Sequence, residues 1–309
     1  MAKYMHTLTG PVLDSDLGLV LPHEHIFVDL RGPSVPDYAQ ADADDVIRLM
    51  KPYLDAAWTA GVTAFIECTP PGVGRNLTIL RRVAEITPIR ILTPTGIYRE
   101  AFTPSAMRNL SVEALADIWI SELAEGIEGT PVRAGFIKLA MSDNGPTDIE
   151  IRNLEAAAKA SLATGAVIAS HTTNGAIMQC ELRVLEKAGL NLDRFIWVHA
   201  DAEPDPTFHL EAARRGAYVE IDAIGTRADL TAQLNYTAAL IEAGYTDRIL
   251  LSHDAGWYEP GQPGGCPAGG VRSFTALVED FLPRLRSRGI QEDIIHQITV
   301  INPFQAFAF

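Results

Sequence analysis

Two histidines separated by one residue form the first group in this sequence that could do chemistry. His23 and His25 follow the apolar run 17–20, which predicts a buried strand. Because side chains alternate along a strand, both imidazoles should point to the same face. Imidazole suits zinc and its neighbours, so the pair could bind one metal ion. Ordinary core or surface histidines would show the same spacing, and the spacing alone leaves both interpretations open.

Further polar side chains stand where later apolar runs end. In chain order they are Glu67, Lys138, His171, His199, Asp222 and Asp254, and four of the eight histidines are at such strand ends. Each has a simpler interpretation when taken alone. His171 and His199 could be hydrogen-bonded core histidines, and Asp254 could cap a helix.

Lys138 is the most informative of these residues because it lies inside the apolar run 135–140. A buried ammonium without a partner is destabilising by several kcal/mol. Pairing with a carboxylate would remove this penalty. Reaction with CO₂ to form a carbamate would also remove it, and would convert the amine into a bidentate anionic ligand.

The elements that must position these side chains alternate along the whole chain. Strands are predicted to end at His25 and to span 62–67, 89–94, 134–140, 166–171, 195–199, 218–222 and 249–254. Helices are predicted at 43–60, 77–86, 112–126, 148–164, 176–188, 207–215, 230–243, 271–288 and 291–297.

The strands are nearly all apolar, as in a parallel sheet covered on both faces. An open doubly wound sheet is the alternative, but the first turn lacks its glycine fingerprint. Eight units fit a (β/α)8 TIM barrel, an α/β fold, as a single domain over residues 1–309, with the chemistry at the C-terminal ends of the strands.

Composition narrows the class of protein. A formal net charge of −14 argues against a nucleic-acid partner, which would need a basic surface. The chain shows neither an apolar leader nor a run of ~18 apolar residues, so we expect no secretory signal and no membrane span. Cys68, Cys180 and Cys266 are widely spaced, which favours free thiols in a reducing compartment and a cytoplasmic location.

The polar strand ends can be combined into one site. In a closed barrel the first and last strands are neighbours, so His23, His25 and Asp254 could hold one metal. His171 and His199 could hold a second, and an anion from Lys138 could bridge the two. Two cations about 3.5–4 Å apart can share a hydroxide and polarise a substrate oxygen. Asp254 would take the proton of that hydroxide as general base.

In these residues the chain resembles the phosphotriesterase family of the amidohydrolase superfamily, and in particular its phosphotriesterase-like lactonase branch. The matching segments are 9–10, 22–25, 74–76, 136–138, 170–172, 198–201, 252–254 and 302–304. The resemblance implies a barrel with a binuclear site at its C-terminal face. It implies the same six metal ligands, with Lys138 as N6-carboxylysine, and a homodimer. Two divalent ions would be bound, zinc first, with cobalt, manganese or iron as alternatives.

Tyr98 bears on the substrate, because lactonase-like members carry a tyrosine there and phosphotriesterases a tryptophan. Further candidates for substrate contact are Arg99, Phe102, Arg227, Trp257 and Tyr258. Ala202 and Ala223 depart from the family, since phosphotriesterases place a His-Asp proton relay at these positions and lactonases often have arginine at the second.

The expected function is hydrolysis of small-molecule lactones or carboxylic esters, with a metal-bridging hydroxide as nucleophile and promiscuous phosphotriesterase activity. The alternative is phosphotriester or amide hydrolysis at the same site. A non-catalytic, metal-containing barrel that binds a small molecule is the rival from another class.

Overall fold

The computed structural model describes residues 2–226 and 228–309. Arg227, a candidate for substrate contact, lies outside them. The strands are β1 (Met5–Thr7), β2 (Gly10–Val12), β3 (Leu19–Phe27), β4 (Val62–Glu67), β5 (Arg90–Leu92), β6 (Pro94–Gly96), β7 (Phe136–Ala140), β8 (Ile168–His171), β9 (Phe195–Val198), β10 (Tyr218–Ile221), β11 (Ile249–Leu251) and β12 (Gly256–Tyr258).

The helices alternate with these strands. They are α1 (Ala43–Thr59), α2 (Leu77–Glu85), α3 (Ser105–Arg108), α4 (Val112–Ala124), α5 (Asp148–Thr164), α6 (Gly175–Lys187), α7 (Pro206–Arg214), α8 (Thr231–Glu242), α9 (Leu282–Ser287), α10 (Glu292–His296) and α11 (Asn302–Phe307). Caps set their ends: Thr147 and Glu150 form a capping box before α5, and Gly165 ends it at φ 83°. No helix of the described residues is both long and apolar enough to cross a membrane.

The parallel strands close into a ring, which confirms the predicted (β/α)8 barrel. Strands β6 to β11 pair in chain order, and β12, β3, β4 and β5 form the other arc. Only Thr93 separates β5 from β6, so these two strands are parts of one barrel strand. After β11 the chain continues into β12, which pairs with β3 through Gly256 and His25 and thereby closes the ring.

Alternation along the strands separates two apolar layers and positions the site. Phe136 packs inside the barrel, whereas Ile137 packs outward against the helices. Lys138 therefore returns to the interior. By the same alternation the inward-facing Tyr218 is followed by Glu220 and then Asp222 on the interior side. The barrel interior is thus apolar at one end and polar at the end where the strands finish.

The apolar end is closed by elements near the two ends of the chain that were not predicted from the sequence. The antiparallel hairpin of β1 and β2 and the helix α11 pack there, and the rings of Phe136 and Phe307 lie 5.2 Å apart. Met5 and Phe307 are both fully buried.

Two kinds of predicted boundary were wrong. The helix expected over 271–288 begins only at Leu277, with a π turn before α9, because Arg272 binds backbone carbonyls near the site and Ser273 bonds Thr275. The strands expected to reach His199 and Asp254 stop earlier. Both residues have positive φ, 62° and 48°, so the chain leaves the extended conformation at the positions that carry candidate ligands.

Candidate metal centre and active site

The C-terminal ends of β3 and the β11–β12 connection bring one ligand group together. Ligand atoms of His23, His25 and Asp254 all lie within 4.8 Å of one another. The Asp254 carboxylate is 3.1 Å from Nε2 of His25 and 3.5 Å from Nε2 of His23. Two imidazoles and a carboxylate at this spacing are a suitable donor set for a divalent cation.

The ends of β8 and β9 add two further imidazoles beside this group. The ring centroids of His171 and His199 are 4.4 Å apart, and those of His23 and His199 are 5.0 Å apart. Lys138 and Asp254 line the same cavity as all four rings, with an empty volume of about 560 Å³. The structure therefore gathers all six predicted ligands at one place.

Carboxylate and hydroxyl side chains behind three of the imidazoles fix the orientation of the rings. Nδ1 of His199 is 2.8 Å from Asp222, whose other oxygen accepts the His199 backbone N–H. Nδ1 of His23 lies 3.2 Å from Glu220 and 3.1 Å from Asp222. For His25 the partner is the Thr69 hydroxyl, at 2.7 Å. Such outer partners hold the ring and its tautomer, which leaves the other ring nitrogen free for a cation.

Burial and charge set the protonation of this layer. Burial, together with the charge of Lys138, lowers the pKa of His23 to about 3, so its ring is neutral at ordinary pH. Burial and the neighbouring Asp222 raise the pKa of Glu220 well above its usual range. Burial opposes ionisation of Asp222 as well, but the charge and hydrogen bond of His199 hold the pKa of Asp222 well below its usual range. The pKa values of these two neighbouring carboxyl groups are therefore shifted in opposite directions.

Sequence reasoning missed the residues that hold Asp254, of which Glu24 is the first. The Glu24 carboxylate accepts hydrogen bonds from the Ser252 hydroxyl at 2.8 Å, the His253 N–H at 3.1 Å and the Ala255 N–H at 2.9 Å. It therefore clamps the turn on both sides of Asp254. The indicator available in the sequence was a glutamate between two histidines in an otherwise apolar strand.

Two more side chains complete this clamp. His253 faces away from the ligand cluster, and its Nδ1 lies 2.5 Å from Glu24. Its Nε2 accepts the Leu277 N–H, so the ring carries its proton on Nδ1 and donates to Glu24. Arg272 donates to the backbone carbonyls of His253 and Asp254. The positive φ of Asp254 is thus held by side chains from three separate segments.

Comparison with known proteins gives the family. The sequence profile of the phosphotriesterase family matches residues 3–307. The chain belongs to the phosphotriesterase family. A solved structure of a PTE-like lactonase mutant from Deinococcus radiodurans is 33% identical, with a TM-score of 0.88, and covers 98% of this chain and 99% of that chain.

Two curated relatives extend the comparison. An aryldialkylphosphatase from Saccharolobus solfataricus is 28% identical and covers 95% of this chain and 96% of its own length. An N-acetyltaurine hydrolase from Rattus norvegicus is 27% identical, covering 99% of this chain and 98% of its own length. These two relatives are named for different substrates.

The phosphotriesterase family is one of binuclear metal enzymes, and the residues present fit such a centre. The strongest test is Lys138, which is 2% exposed and whose Nζ has no hydrogen-bond partner among the described residues. A buried ammonium without a partner is unfavourable in that position. An anionic group at this point, flanked by cations, would remove the penalty.

Three of the residues predicted to contact substrate lie at the ligand cluster or at the mouth of its cavity. The Tyr98 hydroxyl is 3.1 Å from Nδ1 of His171, and burial raises the pKa of Tyr98 to about 12, so it is a neutral hydroxyl. Arg99 lies 2.7 Å from Nε2 of His171 and also pairs with Asp143. Trp257 lines the cavity with its ring 5.9 Å from that of His25.

The remaining candidates lie further from the cluster. Phe102 packs against Tyr98 with ring centroids 5.6 Å apart, so it supports that tyrosine. Tyr258 is buried and stacks on Phe27 at 6.0 Å, away from the cavity wall, a placement that favours packing over substrate contact. Glu67, at the end of β4, is 3.9 Å from Nδ1 of His25, and burial raises the pKa of Glu67 to about 7.

Proposed function

We propose that this protein is a metal-dependent hydrolase that opens lactones or cleaves carboxylic esters, with phosphotriesters as promiscuous substrates. Hydrolysis of ester bonds follows from membership of the phosphotriesterase family and from the lactonase neighbour. The observation that carries the assignment is the convergence of the ligand groups on one buried lysine that lacks a partner. The ligands are His23, His25, Lys138, His171, His199 and Asp254.

We further propose how the ligands divide. His23, His25 and Asp254 would hold one cation, His171 and His199 the other, and Lys138, carboxylated on Nζ, would bridge them. Zinc is the proposed metal, since imidazole and carboxylate oxygen suit it. When bound, the two cations would supply Lewis acidity and lower the pKa of water near them.

The chain's own residues then account for the proton and the substrate oxygen. Burial opposes ionisation of Asp254, but the hydrogen bond from His25 and the neighbouring imidazoles lower the pKa of Asp254, so its carboxylate is ionised and can accept the proton of the attacking water. The Tyr98 hydroxyl can donate a hydrogen bond to the carbonyl oxygen of an ester as negative charge develops there. Trp257 and Leu30 cover the apolar side of the cavity and limit water.

Tyr98 supports a lactone or ester over a phosphotriester, because lactonase-like members of the family carry a tyrosine at this position. Hydrolysis of an amide bond at the same site is the alternative, because a relative of comparable coverage is an N-acetyltaurine hydrolase. The test is kcat/KM for lactones, aryl esters, phosphotriesters and N-acyl amino sulfonates with the zinc-loaded protein. We expect lactones to lead the panel. Amides leading by tenfold or more would replace the proposal with the alternative.

Three further properties belong to the same proposal. Residues 1–309 would form one hydrolase domain, acting as a homodimer like the family that it resembles. Free thiols at Cys68, Cys180 and Cys266 support a cytoplasmic location. A barrel that only binds a small molecule would keep its ligand affinity in Asp254→Asn and show no turnover in either form, which separates that rival from the hydrolase.

A further inference from the structure

A second cleft opens beside the candidate metal centre, on the side of β9, β10 and α8. It has an empty volume of about 1370 Å³ and shares His171, His199 and Asp254 with the first cavity. Ala202 and Ala223, which stand where phosphotriesterases have larger polar side chains, line it. Their methyl groups leave room that longer side chains would fill, and a substrate held at the shared ligands can extend into it.

The wall of this cleft carries hydrogen-bond acceptors. Oδ2 of Asp201 accepts the Ala223 N–H at 3.2 Å and the Nε2 amide of Gln233 at 3.2 Å. The second bond fixes the orientation of the Gln233 amide, because only its nitrogen can donate to a carboxylate. Asp229 and Thr226 lie further out along the same wall.

Gln233 is the informative residue of this wall. Its side chain is 8% exposed, and its Oε1 has no hydrogen-bond partner among the described residues. A buried acceptor without a partner is costly, and such groups in folded proteins usually have a partner in an ordered water or a ligand. A bound group with a hydroxyl would supply the missing donor.

The first cavity has a different wall on its far side. Val28, Leu30, Pro70, Val73 and Trp257 line it, and these side chains suit an apolar substituent. The ligand cluster lies where the two spaces meet. A substrate whose ester bond sits at the cluster would therefore have one side in an apolar space and the other in a polar one.

We propose that the second cleft is a subsite that binds a hydroxyl-bearing part of the substrate. The preferred substrate would then be a lactone or ester with hydroxyl groups on the side that faces Gln233, and this assignment rests on the proposed hydrolase function. Hydroxyls can donate to the acceptors of Gln233 and Asp201. A carboxylate would be repelled by Asp201 and Asp229, and an alkyl group would leave the Gln233 oxygen without a donor.

The test compares two γ-lactones of equal size on the zinc-loaded protein. One carries a hydroxymethyl side chain, and the other carries an ethyl side chain on the same unsubstituted ring. We expect kcat/KM to favour the hydroxylated lactone by about tenfold or more, because a polar site rejects analogues that leave its groups unpaired. Gln233→Leu should abolish this preference by lowering kcat/KM for the hydroxylated lactone.

Ala223→Leu provides a second variant, since it fills the cleft without altering the Gln233 amide. It should lower kcat/KM for the hydroxylated lactone selectively. Gln179→Leu, on the outer face of α6 where Gln179 bonds Glu211, is the matched control and should change neither lactone. Equal kcat/KM for both lactones in the wild type, or a preference that survives Gln233→Leu, would overturn the subsite. An amino-substituted lactone preferred over the hydroxylated one would overturn its hydroxyl specificity.

Calorimetry of the ring-opened acids separates the subsite from the hydrolase function. The hydroxylated acid should bind the wild-type holoprotein about tenfold more tightly than the alkyl acid, and Gln233→Leu should remove the difference. Absence of turnover on every lactone and ester would refute the hydrolase proposal, while this binding difference would still support the subsite. Equal binding of both acids would overturn the subsite whatever the enzyme turns over.

Discussion

The two sides of the candidate metal centre are held by different kinds of structure. On the side of β3 and β11, Glu24 clamps the turn of Asp254, and Glu220 and Asp222 lie behind His23. On the side of β8, the contacts of His171 come from Tyr98 and Arg99, which follow β6 on a loop. The first side is built from barrel strands and buried carboxylates, and the second opens into clefts lined by loop residues.

This difference indicates how the protein divides its tasks. Strand ends in a closed barrel have little freedom, so ligands that must hold a fixed geometry are placed there. Loops tolerate substitution, so residues that distinguish substrates are placed on them. Changes on the β3–β11 side should therefore alter metal binding, and changes on the loop side should alter the choice of substrate.

The largest effect is expected for Lys138→Met, which replaces the lysine with an apolar side chain of similar length. Loss of the bridging ligand should remove at least one metal ion per chain. It should also lower kcat/KM by at least about 10³-fold, because several kcal/mol of transition-state stabilisation depend on the two cations. Elemental analysis and lactone hydrolysis measure both. Lys159→Met, at an exposed pair with Glu113, is the control and should change neither.

A smaller variant at the same position sharpens that result. In Lys138→Ala the space of the side chain is empty, and added acetate can place a carboxylate there. Partial recovery of metal content and activity with acetate would support the bridging anion. Full metal content in both variants without acetate would contradict the role of Lys138.

The next largest effect is expected for Asp254→Asn. The amide keeps the size of the side chain but cannot accept a proton, so kcat should fall by about 10²- to 10⁴-fold. Steady-state kinetics should show a smaller change in KM. Asp247→Asn, beside Arg248 on the surface, serves as the control. A kcat within threefold of the wild type would remove Asp254 from the chemistry.

A pair of variants compares the two sides directly. Glu24→Gln should weaken metal binding by about 10- to 100-fold, because the amide places a donor against the Ser252 hydroxyl and the N–H groups of the Asp254 turn. Arg99→Met, on the loop side, should change metal affinity by less than about threefold, as its pair with Asp143 is half exposed. Zinc titration against a chelator of known affinity measures both. Equal losses of zinc affinity in the two variants would contradict the proposed difference between the β3–β11 side and the loop side.

The smallest effect is expected for Tyr98→Phe. Removing one hydrogen bond of about 1 kcal/mol to the substrate oxygen should lower lactone kcat/KM by about fivefold. Metal content should remain that of the wild type, because the hydroxyl belongs to the loop side. A loss of zinc in this variant would contradict this role, because it would show that the Tyr98 hydroxyl supports the ligand His171 instead of the substrate.

The sequence predicted the barrel and the ligand positions well, for a reason that lies in the strands. One apolar run ends in His171 and another contains Lys138, so the same segments predict both a buried strand and a polar residue of the site. The ligand roles remain a prediction that the geometry supports. Asp222 could be placed only at a strand end, and its contacts with His23 and His199 required the closed ring.

The residues that sequence reasoning missed act across long distances in the chain. Glu24 contacts Ser252 and Ala255, more than 200 residues away, and no local pattern records such a contact. The positive φ of His199 and Asp254 follows from these same clamps, so strand ends were extended too far. The apolar plug of β1, β2 and α11 depends in the same way on the two termini meeting.

The most direct test of the central claim is a zinc titration of the chelator-stripped protein, with bound metal per chain and lactone hydrolysis recorded in the same samples. We predict negligible turnover without metal and saturation at two zinc ions per chain. Hydrolytic activity should rise with the fraction of chains that hold both ions. Full hydrolytic activity in the stripped protein would contradict this prediction. So would a titration in which no zinc binds to the chain.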